Sequence, residues 1–220
     1  MRRVGSKSSH LSVFSLGSYQ TDYVGSKRRV FNAGIKKTCL NGSQKGSKIK
    51  GMQGVSQLSQ RQIDIKINEA QDLWVNTLLS IVKHHKENPN DDAGIKQKIE
   101  DFVSRCYAFD ADNAKISFKP TLASEVPFRS GFEESCSYFL GAKKGGVVAE
   151  DTGFALKDWV SVSCENKSVQ VLSETQVIVQ GNMCFTSLDE TKTIANYTFG
   201  YLVTDSGQLK AFLHHSSLQV

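Results

Sequence analysis

Alternation of apolar and polar residues is clearest near the end of the chain, over residues 194–217. Residues 194–203 are rich in β-branched and aromatic side chains, which favour a strand. Asp205-Ser206-Gly207 is typical of a turn, because Gly tolerates positive φ and Asp and Ser bond their own backbone. Residues 209–217 read as the returning strand, so the pattern predicts a β-hairpin.

The returning strand carries the first candidate chemistry. Side chains alternate between the two faces of a strand. Counted from its first residue, one face therefore holds Leu209, Ala211, Leu213, His215 and Ser217. A face that is apolar along most of its length and ends in an imidazole and a hydroxyl is typical of a strand that floors a pocket. We predict that His215 and Ser217 face this pocket and that His214 faces away.

Helical periodicity precedes the strands. Apolar residues recur at three- and four-residue steps from about Asp64 to about His85, and again over residues 95–106. Shorter patterns predict a strand over 114–121, a helix over 131–140, and strands over 154–165, 168–172 and 175–186. Helices followed by antiparallel strands predict an α+β fold, with a strongly curved antiparallel sheet wrapped around the first helix and a pocket between them.

Charge divides the 220-residue chain into two parts. Residues 1–62 contain 12 Lys and Arg and one acidic residue, Asp22, which leaves 15 basic and 21 acidic residues in 63–220. The acidic predicted domain, residues 63–220, argues against nucleic-acid binding. No stretch approaches the roughly 20 apolar residues of a membrane span, so we expect no membrane-spanning segment.

Six short motifs follow one another in the predicted domain: FKPT at 118–121, PFR at 127–129, SYFLG at 137–141, DTGFAL…W at 151–159, YTFGY at 197–201 and HHSS at 214–217. Together they resemble the iota-class carbonic anhydrases of algae and bacteria. That class belongs to the cone-shaped SnoaL-like, or nuclear transport factor 2-like, superfold. The resemblance covers about residues 65–218 and implies reversible hydration of carbon dioxide to bicarbonate.

The resemblance also implies a site. Thr121, Tyr138, His215 and Ser217 fall where that family places its catalytic and bicarbonate-binding polar groups. Tyr201, in the YTFGY motif, is a further candidate to line the substrate pocket. The chain departs from the family at position 219, where Gln replaces the proline that commonly follows HHSS-Leu.

The residues favour catalysis without a metal. A zinc site usually needs three protein ligands of His, Cys or carboxylate type. The five cysteines are dispersed, and His214 and His215 are expected on opposite faces of the strand. We therefore expect no cofactor, with manganese or zinc as the alternative.

A second class of function stays open, because a fold does not name a function. The chain could be a non-enzymatic cone-fold module for ligand binding or oligomerisation, resembling the association domain of calmodulin-dependent kinase II. In either case we expect a homodimer, since an exposed apolar sheet face calls for cover. Phe212 and Val203 are the candidate residues of that face.

The Ser-rich, basic first part is typical of an organellar transit peptide without fixed structure, with a merely disordered basic tail as the alternative. We predict that residues 1–62 direct the protein to the chloroplast, or alternatively to the mitochondrion. A fluorescent protein fused to residues 1–62 should therefore enter an organelle. A fusion that stays in the cytosol would contradict this prediction.

Overall fold

The computed structural model describes residues 59–109 and 115–219. The predicted leader lies outside these residues except for its last four positions. None of the described helices has the length and apolar character that a membrane-spanning helix requires. The elements are α1 (Gln60–Glu87), α2 (Asp92–Cys106), β1 (Ser117–Lys119), α3 (Phe132–Leu140), β2 (Trp159–Ser173), β3 (Gln176–Ser187), β4 (Lys192–Val203) and β5 (Leu209–Leu218).

Both long helices begin at side-chain caps. The Ser59 hydroxyl accepts a hydrogen bond from the Gln62 amide, and the Gln62 side chain accepts one from the Ser59 amide. This capping box starts α1 at Gln60, four residues before the predicted Asp64, because the capping residues are polar and do not contribute to the apolar period. The Asp91 carboxylate caps α2 by accepting from the Gly94 amide. The α2 residues predicted to face inward are all buried: Ile95, Ile99, Phe102, Val103 and Cys106.

The five strands form one sheet in the order β1-β5-β4-β3-β2. All neighbours pair antiparallel except β1, which runs parallel to β5. The expected α+β architecture, with helices packed against a mostly antiparallel sheet, is confirmed. Helix α1 packs against β2 and β5, and the hydrophobic core lies between the helices and the inner sheet face.

Two strand predictions are corrected. The runs 154–165 and 168–172 belong to a single strand, β2, which begins only at Trp159 because residues 154–156 form a 3-10 turn. Strand β2 continues through register shifts, one of them between Asn166 and Ser168. Such bulges interrupt the alternation on which a sequence prediction relies, and they bend the strand. The predicted strand over 114–121 is shorter, at Ser117–Lys119.

A β-bulge in β5 changes which residues face inward. Ala211 pairs with Tyr201 and Leu213 pairs with Gly200, so Phe212 is an extra residue without a partner on β4. The Phe212 ring covers Gly200 on the outer face, where an added Cβ would lie 2.7 Å from Cζ of Phe212. Before the bulge the odd-numbered residues Leu209 and Ala211 are buried, and after it the even-numbered residues His214 and Ser216 are buried. The bulge therefore inverts the predicted facing of the strand's polar end.

Candidate active site

A small cavity lies between the inner sheet face and helices α1 and α3. One part of its wall is apolar, formed by Trp74, Phe139, Phe154, Met183, Phe185 and Ala195. The other part is polar, formed by Thr121, Tyr138, Tyr197, His214 and Ser216. A groove near the start of α1 brings together no imidazole or phenol. A second groove, on the outer sheet face, is lined by Tyr197, His215 and Ser217 but is more open to solvent. The inner cavity, which encloses its polar groups, is therefore the better candidate for chemistry.

Two hydroxyls form a pair at the polar side of the cavity. The Oγ1 atom of Thr121 lies 2.8 Å from Oγ of Ser216, and either oxygen can donate the proton. Ser216 is buried, whereas Thr121 is half-buried in the turn that follows β1. The ammonium of Lys119 donates to the backbone carbonyl of Ser216 at 3.2 Å and so ties β1 to this end of β5.

Tyr138 on α3 brings a phenol to the same cavity. Its ring stacks on Phe154 at 5.4 Å between centroids, and its hydroxyl is buried without a hydrogen-bond partner of good geometry in the described part of the chain. Burial raises the pKa of Tyr138 well above its usual value; the nearby Leu122 amide and Thr121 hydroxyl only partly offset this. The phenol is therefore neutral. An unsatisfied buried hydroxyl costs about 1–3 kcal/mol, so a ligand that accepts a hydrogen bond from this O–H would remove that cost.

His214 is enclosed by aromatic rings. Its imidazole stacks between Phe199, with centroids 4.1 Å apart, and Phe118, with centroids 4.9 Å apart. The Nδ1 atom lies 2.9 Å from the Tyr107 hydroxyl, which also accepts a hydrogen bond from the Trp74 indole at 3.1 Å. Burial, with a smaller contribution from the neighbouring His215, lowers the pKa of His214 to about 3, so the ring is neutral at physiological pH.

The sequence of this domain also matches a known family over its whole length. The sequence model of the metal-independent carbonic anhydrases covers residues 65–218. The chain belongs to this family. It is therefore a carbonic anhydrase. Family membership confirms the predicted activity, reversible hydration of carbon dioxide to bicarbonate.

Two individual relatives, both carbonic anhydrases, agree with this assignment. The chain is 31% identical over 150 residues to a metal-independent carbonic anhydrase of Nostoc sp., an alignment that covers 68% of this chain and 70% of the relative. A crystal structure of a cyanobacterial iota-carbonic anhydrase in complex with bicarbonate matches with a TM-score of 0.64 and 28% identity, covering 71% of this chain and 92% of that one. A more distant likeness, with a TM-score of 0.45 and 18% identity, is to a candidate calcium/calmodulin-dependent protein kinase II association domain of Xanthomonas campestris, covering 70% and 86% of the two chains.

The family also bears on the cofactor. Its members are metal-independent, which confirms the expectation of catalysis without a metal over the manganese or zinc alternative. Within residues 59–109 and 115–219, no group of three or more His, Cys, Asp or Glu side chains is arranged to hold a metal ion. The polar wall of the cavity consists instead of hydroxyls, phenols and one imidazole.

The predicted site residues divide into two groups. Thr121 and Tyr138 line the cavity, but His215 and Ser217 are exposed on the outer sheet face, so their predicted facing is wrong. The bulge at Phe212 is the cause, since a shift of one residue turns every following side chain to the other face. Tyr201 is buried but does not line the cavity.

The prediction missed His214, Ser216 and the residue that holds the imidazole, Tyr107. The motif HHSS offers a His and a Ser on either face, so it contains no signal for the facing. The only trace of the bulge in the sequence is the apolar run Ala211-Phe212-Leu213, which interrupts the alternation of the strand. Tyr107 follows α2, lies outside the six motifs, and precedes His214 by 107 residues.

A buried ionic cluster supports the Thr121 and Tyr138 side of the cavity. Arg129 is fully buried and donates to both carboxylate oxygens of Asp151, at 2.8 and 3.0 Å, and to Glu150 at 3.2 Å. Asp151 accepts a further hydrogen bond from Ser137, the residue before Tyr138. Glu150 accepts from the amides at 124–126, in the loop that follows Thr121. The cluster thus joins α3 to this loop.

The hydrogen bonds to Glu150 predict a loss of stability in acid. The amides of Glu125, Val126 and Ser124 lower the pKa of Glu150 from 4.5 to about 2. Because the pKa is depressed in the folded state, this stabilisation is complete above about pH 4.5 and is lost as the pH falls through 2. We expect Glu150→Gln to be less stable than wild type at pH 7, with the difference narrowing below pH 4.5.

Denaturant unfolding at a series of pH values measures this difference. Glu69→Gln is the matched control, since the Glu69 side chain is exposed on α1 and makes no hydrogen bond in the described structure; it should change stability little at every pH. A difference between Glu150→Gln and wild type that stays constant down to pH 2 would contradict the prediction.

Proposed function

We propose that carbon dioxide is hydrated in the inner cavity, with Thr121, Tyr138, His214 and Ser216 as its polar groups. The observation that carries the proposal is the buried Tyr138 hydroxyl, which lines the same cavity as the Thr121–Ser216 pair and lacks a well-formed protein partner. This proposal replaces His215 and Ser217 of the sequence-based site by their neighbours His214 and Ser216, and it leaves out Tyr201.

The two parts of the cavity wall suit the two forms of the substrate. Carbon dioxide is small and apolar, and the apolar part of the cavity wall, which includes Trp74 and Ala195, offers it an apolar surface. Bicarbonate is an anion that needs hydrogen-bond donors, which the hydroxyl and phenol groups supply. The cyanobacterial relative was crystallised with bicarbonate, and we propose that this chain binds the same ion in its cavity.

The chemistry asks for charge stabilisation rather than for a strong base. A water oxygen forms a bond to the carbon, one C=O π pair moves onto a substrate oxygen, and one O–H bond of the water breaks. The substrate oxygen on which negative charge develops accepts a hydrogen bond from the Tyr138 hydroxyl. Donors fixed in advance in a site with little water are effective because they need no reorganisation during the reaction.

The hydroxyl pair gives the released proton a route to solvent. Ser216 accepts the proton from the attacking water while its own proton passes to Thr121, 2.8 Å away. Thr121 is only half-buried, so it passes a proton on to bulk water or buffer. The imidazole does not take this role, because burial lowers the pKa of His214 to about 3. The reverse order dehydrates bicarbonate.

Family membership disfavours the alternative of a non-enzymatic ligand-binding or oligomerisation module. The cavity agrees with this view. An assembly module needs no convergence of buried hydroxyls, a phenol and an imidazole, and burying such groups without partners is costly. The cavity is also small, which argues against a bulky ligand.

Neighbouring residues on β5 give matched pairs of variants for a test. Ser216→Ala should lower the rate of carbon dioxide hydration about 10²–10³-fold, the usual cost of losing one fixed polar group at a reacting centre. Ser217→Ala should leave the rate close to that of wild type, since Ser217 is exposed on the outer face. In the same way, His214→Asn should lower the rate of carbon dioxide hydration, and His215→Asn should leave it close to that of wild type.

Stopped-flow hydration assays with a pH indicator measure the rates, and circular dichroism checks that each variant is folded. Loss of activity in Ser217→Ala and His215→Asn, with activity retained in Ser216→Ala and His214→Asn, would overturn the proposed site. Such a result would restore the facing expected from simple alternation.

We also propose that the protein is a homodimer that pairs through its outer sheet face. Apart from Lys192 at the start of β4, this face is uncharged on the two central strands, with Ile178, Gln180, Asn182 and Cys184 on β3 and Ile194, Asn196, Thr198 and Leu202 on β4. An uncharged face meets a second copy of itself without like-charge repulsion. Phe212 lies on this face, but Val203 does not, because it packs against the core beside Leu209.

Light scattering at micromolar concentration should give twice the mass of the chain. Ile178→Glu places a charge in the middle of the uncharged face and should lower the mass to that of a monomer. Leu188→Glu is the control, because Leu188 is exposed in the β3–β4 turn and should leave the mass unchanged. A wild-type mass of one chain would contradict the homodimer.

A further inference from the structure

Three side chains form a hydrogen-bonded series behind the cavity: Trp74, Tyr107 and His214. We propose that Tyr107, held by Trp74, is a positioning residue that keeps His214 in the tautomer with its proton on Nε2, so that Nε2–H donates a hydrogen bond to a substrate oxygen. The role of the donated bond rests on the proposed function; the tautomer itself does not. Tyr107 does not line the cavity, so it acts through His214 alone.

The number of protons in the series decides its direction. The indole of Trp74 can only donate, so the Tyr107 oxygen accepts from it at 3.1 Å. Tyr107 then has one proton of its own, and the polar atom left for it is Nδ1 of His214 at 2.9 Å. If Nδ1 carried the proton instead, the Tyr107 O–H would be buried without an acceptor, which is unfavourable. The Tyr107 hydroxyl therefore donates, and Nδ1 accepts.

A neutral imidazole with an unprotonated Nδ1 carries its proton on Nε2. In the described structure Nε2 has no hydrogen-bond partner, and it is the only polar atom of this ring that is left for the cavity. The depressed pKa of His214, about 3, agrees with a neutral ring. The imidazole thus faces the cavity as a hydrogen-bond donor, together with the O–H of Tyr138.

The surroundings keep this arrangement fixed. Phe118 and Phe199 hold the imidazole from both sides, so the ring cannot turn to exchange its two nitrogens without displacing them. The backbone beside Tyr107 is tied to β5 as well, because the Ala108 amide donates to the carbonyl of Ala211 at 3.0 Å. Both partners of the hydrogen bond are therefore anchored near the bulge.

Nuclear magnetic resonance of ¹⁵N-labelled histidines tests the tautomer directly, with His214→Asn used to assign the signals. In the wild-type protein we expect His214 to show an unprotonated Nδ1 and a protonated Nε2. Tyr107→Phe should shift His214 toward the Nδ1-protonated form. By analogy with the partners that orient metal-bound histidines, it should lower kcat about 10- to 100-fold, with little change in KM.

Tyr201→Phe is the matched control, because it removes a buried phenol oxygen that neither lines the cavity nor bonds to His214. It should change neither the histidine spectrum nor kcat. If the wild-type spectrum shows a protonated Nδ1, the inference is overturned whatever the activity of the variants. This measurement does not depend on whether a variant of Tyr107 folds. A different outcome is the expected spectrum in the wild-type protein together with full activity in His214→Asn. That outcome would leave the tautomer standing but overturn the proposed site and the catalytic role of the tautomer.

Discussion

The β-bulge at Phe212 is the constraint on which the site depends, because it decides which residues of β5 reach the interior. Its position is fixed by packing on both faces of the sheet. On the outer face the Phe212 ring occupies the space above Gly200, and on the inner side Ala211 bonds to the backbone that follows α2. The strand beyond the bulge then delivers one imidazole and one hydroxyl to a wall made mainly of aromatic rings.

The site holds uncharged groups in a place where charges would be expensive. A buried charge needs a partner, and the structure keeps its buried charges in the separate cluster of Arg129, Asp151 and Glu150, where each is hydrogen-bonded. The cavity contains a phenol and an imidazole that are both neutral, since burial raises the pKa of the first and lowers that of the second. In such surroundings O–H and N–H dipoles interact strongly with a charge that forms during the reaction.

Local patterns predict what local physics controls. The periodicity of α2 identified every inward residue of that helix, and the hairpin of β4 and β5 was visible from its β-branched residues and its Asp205-Ser206-Gly207 turn. The motifs placed Thr121 and Tyr138 in the site. The bulge depends on contacts across the sheet, and Tyr107 reaches His214 from a distant part of the chain, so neither followed from alternation. For the same reason β2 was predicted as two strands.

The doubling of both residue types in His214-His215-Ser216-Ser217 has a consequence for how this strand can change over generations. Deletion of one residue between the bulge and His214 would move His215 into the present position of His214 on the strand, and Ser217 into that of Ser216. The cavity would then contain the same two chemical groups at the same two places. In most strands such a deletion would replace the inward residues by unrelated ones, but here the sequence carries a second copy of the residues proposed for the site.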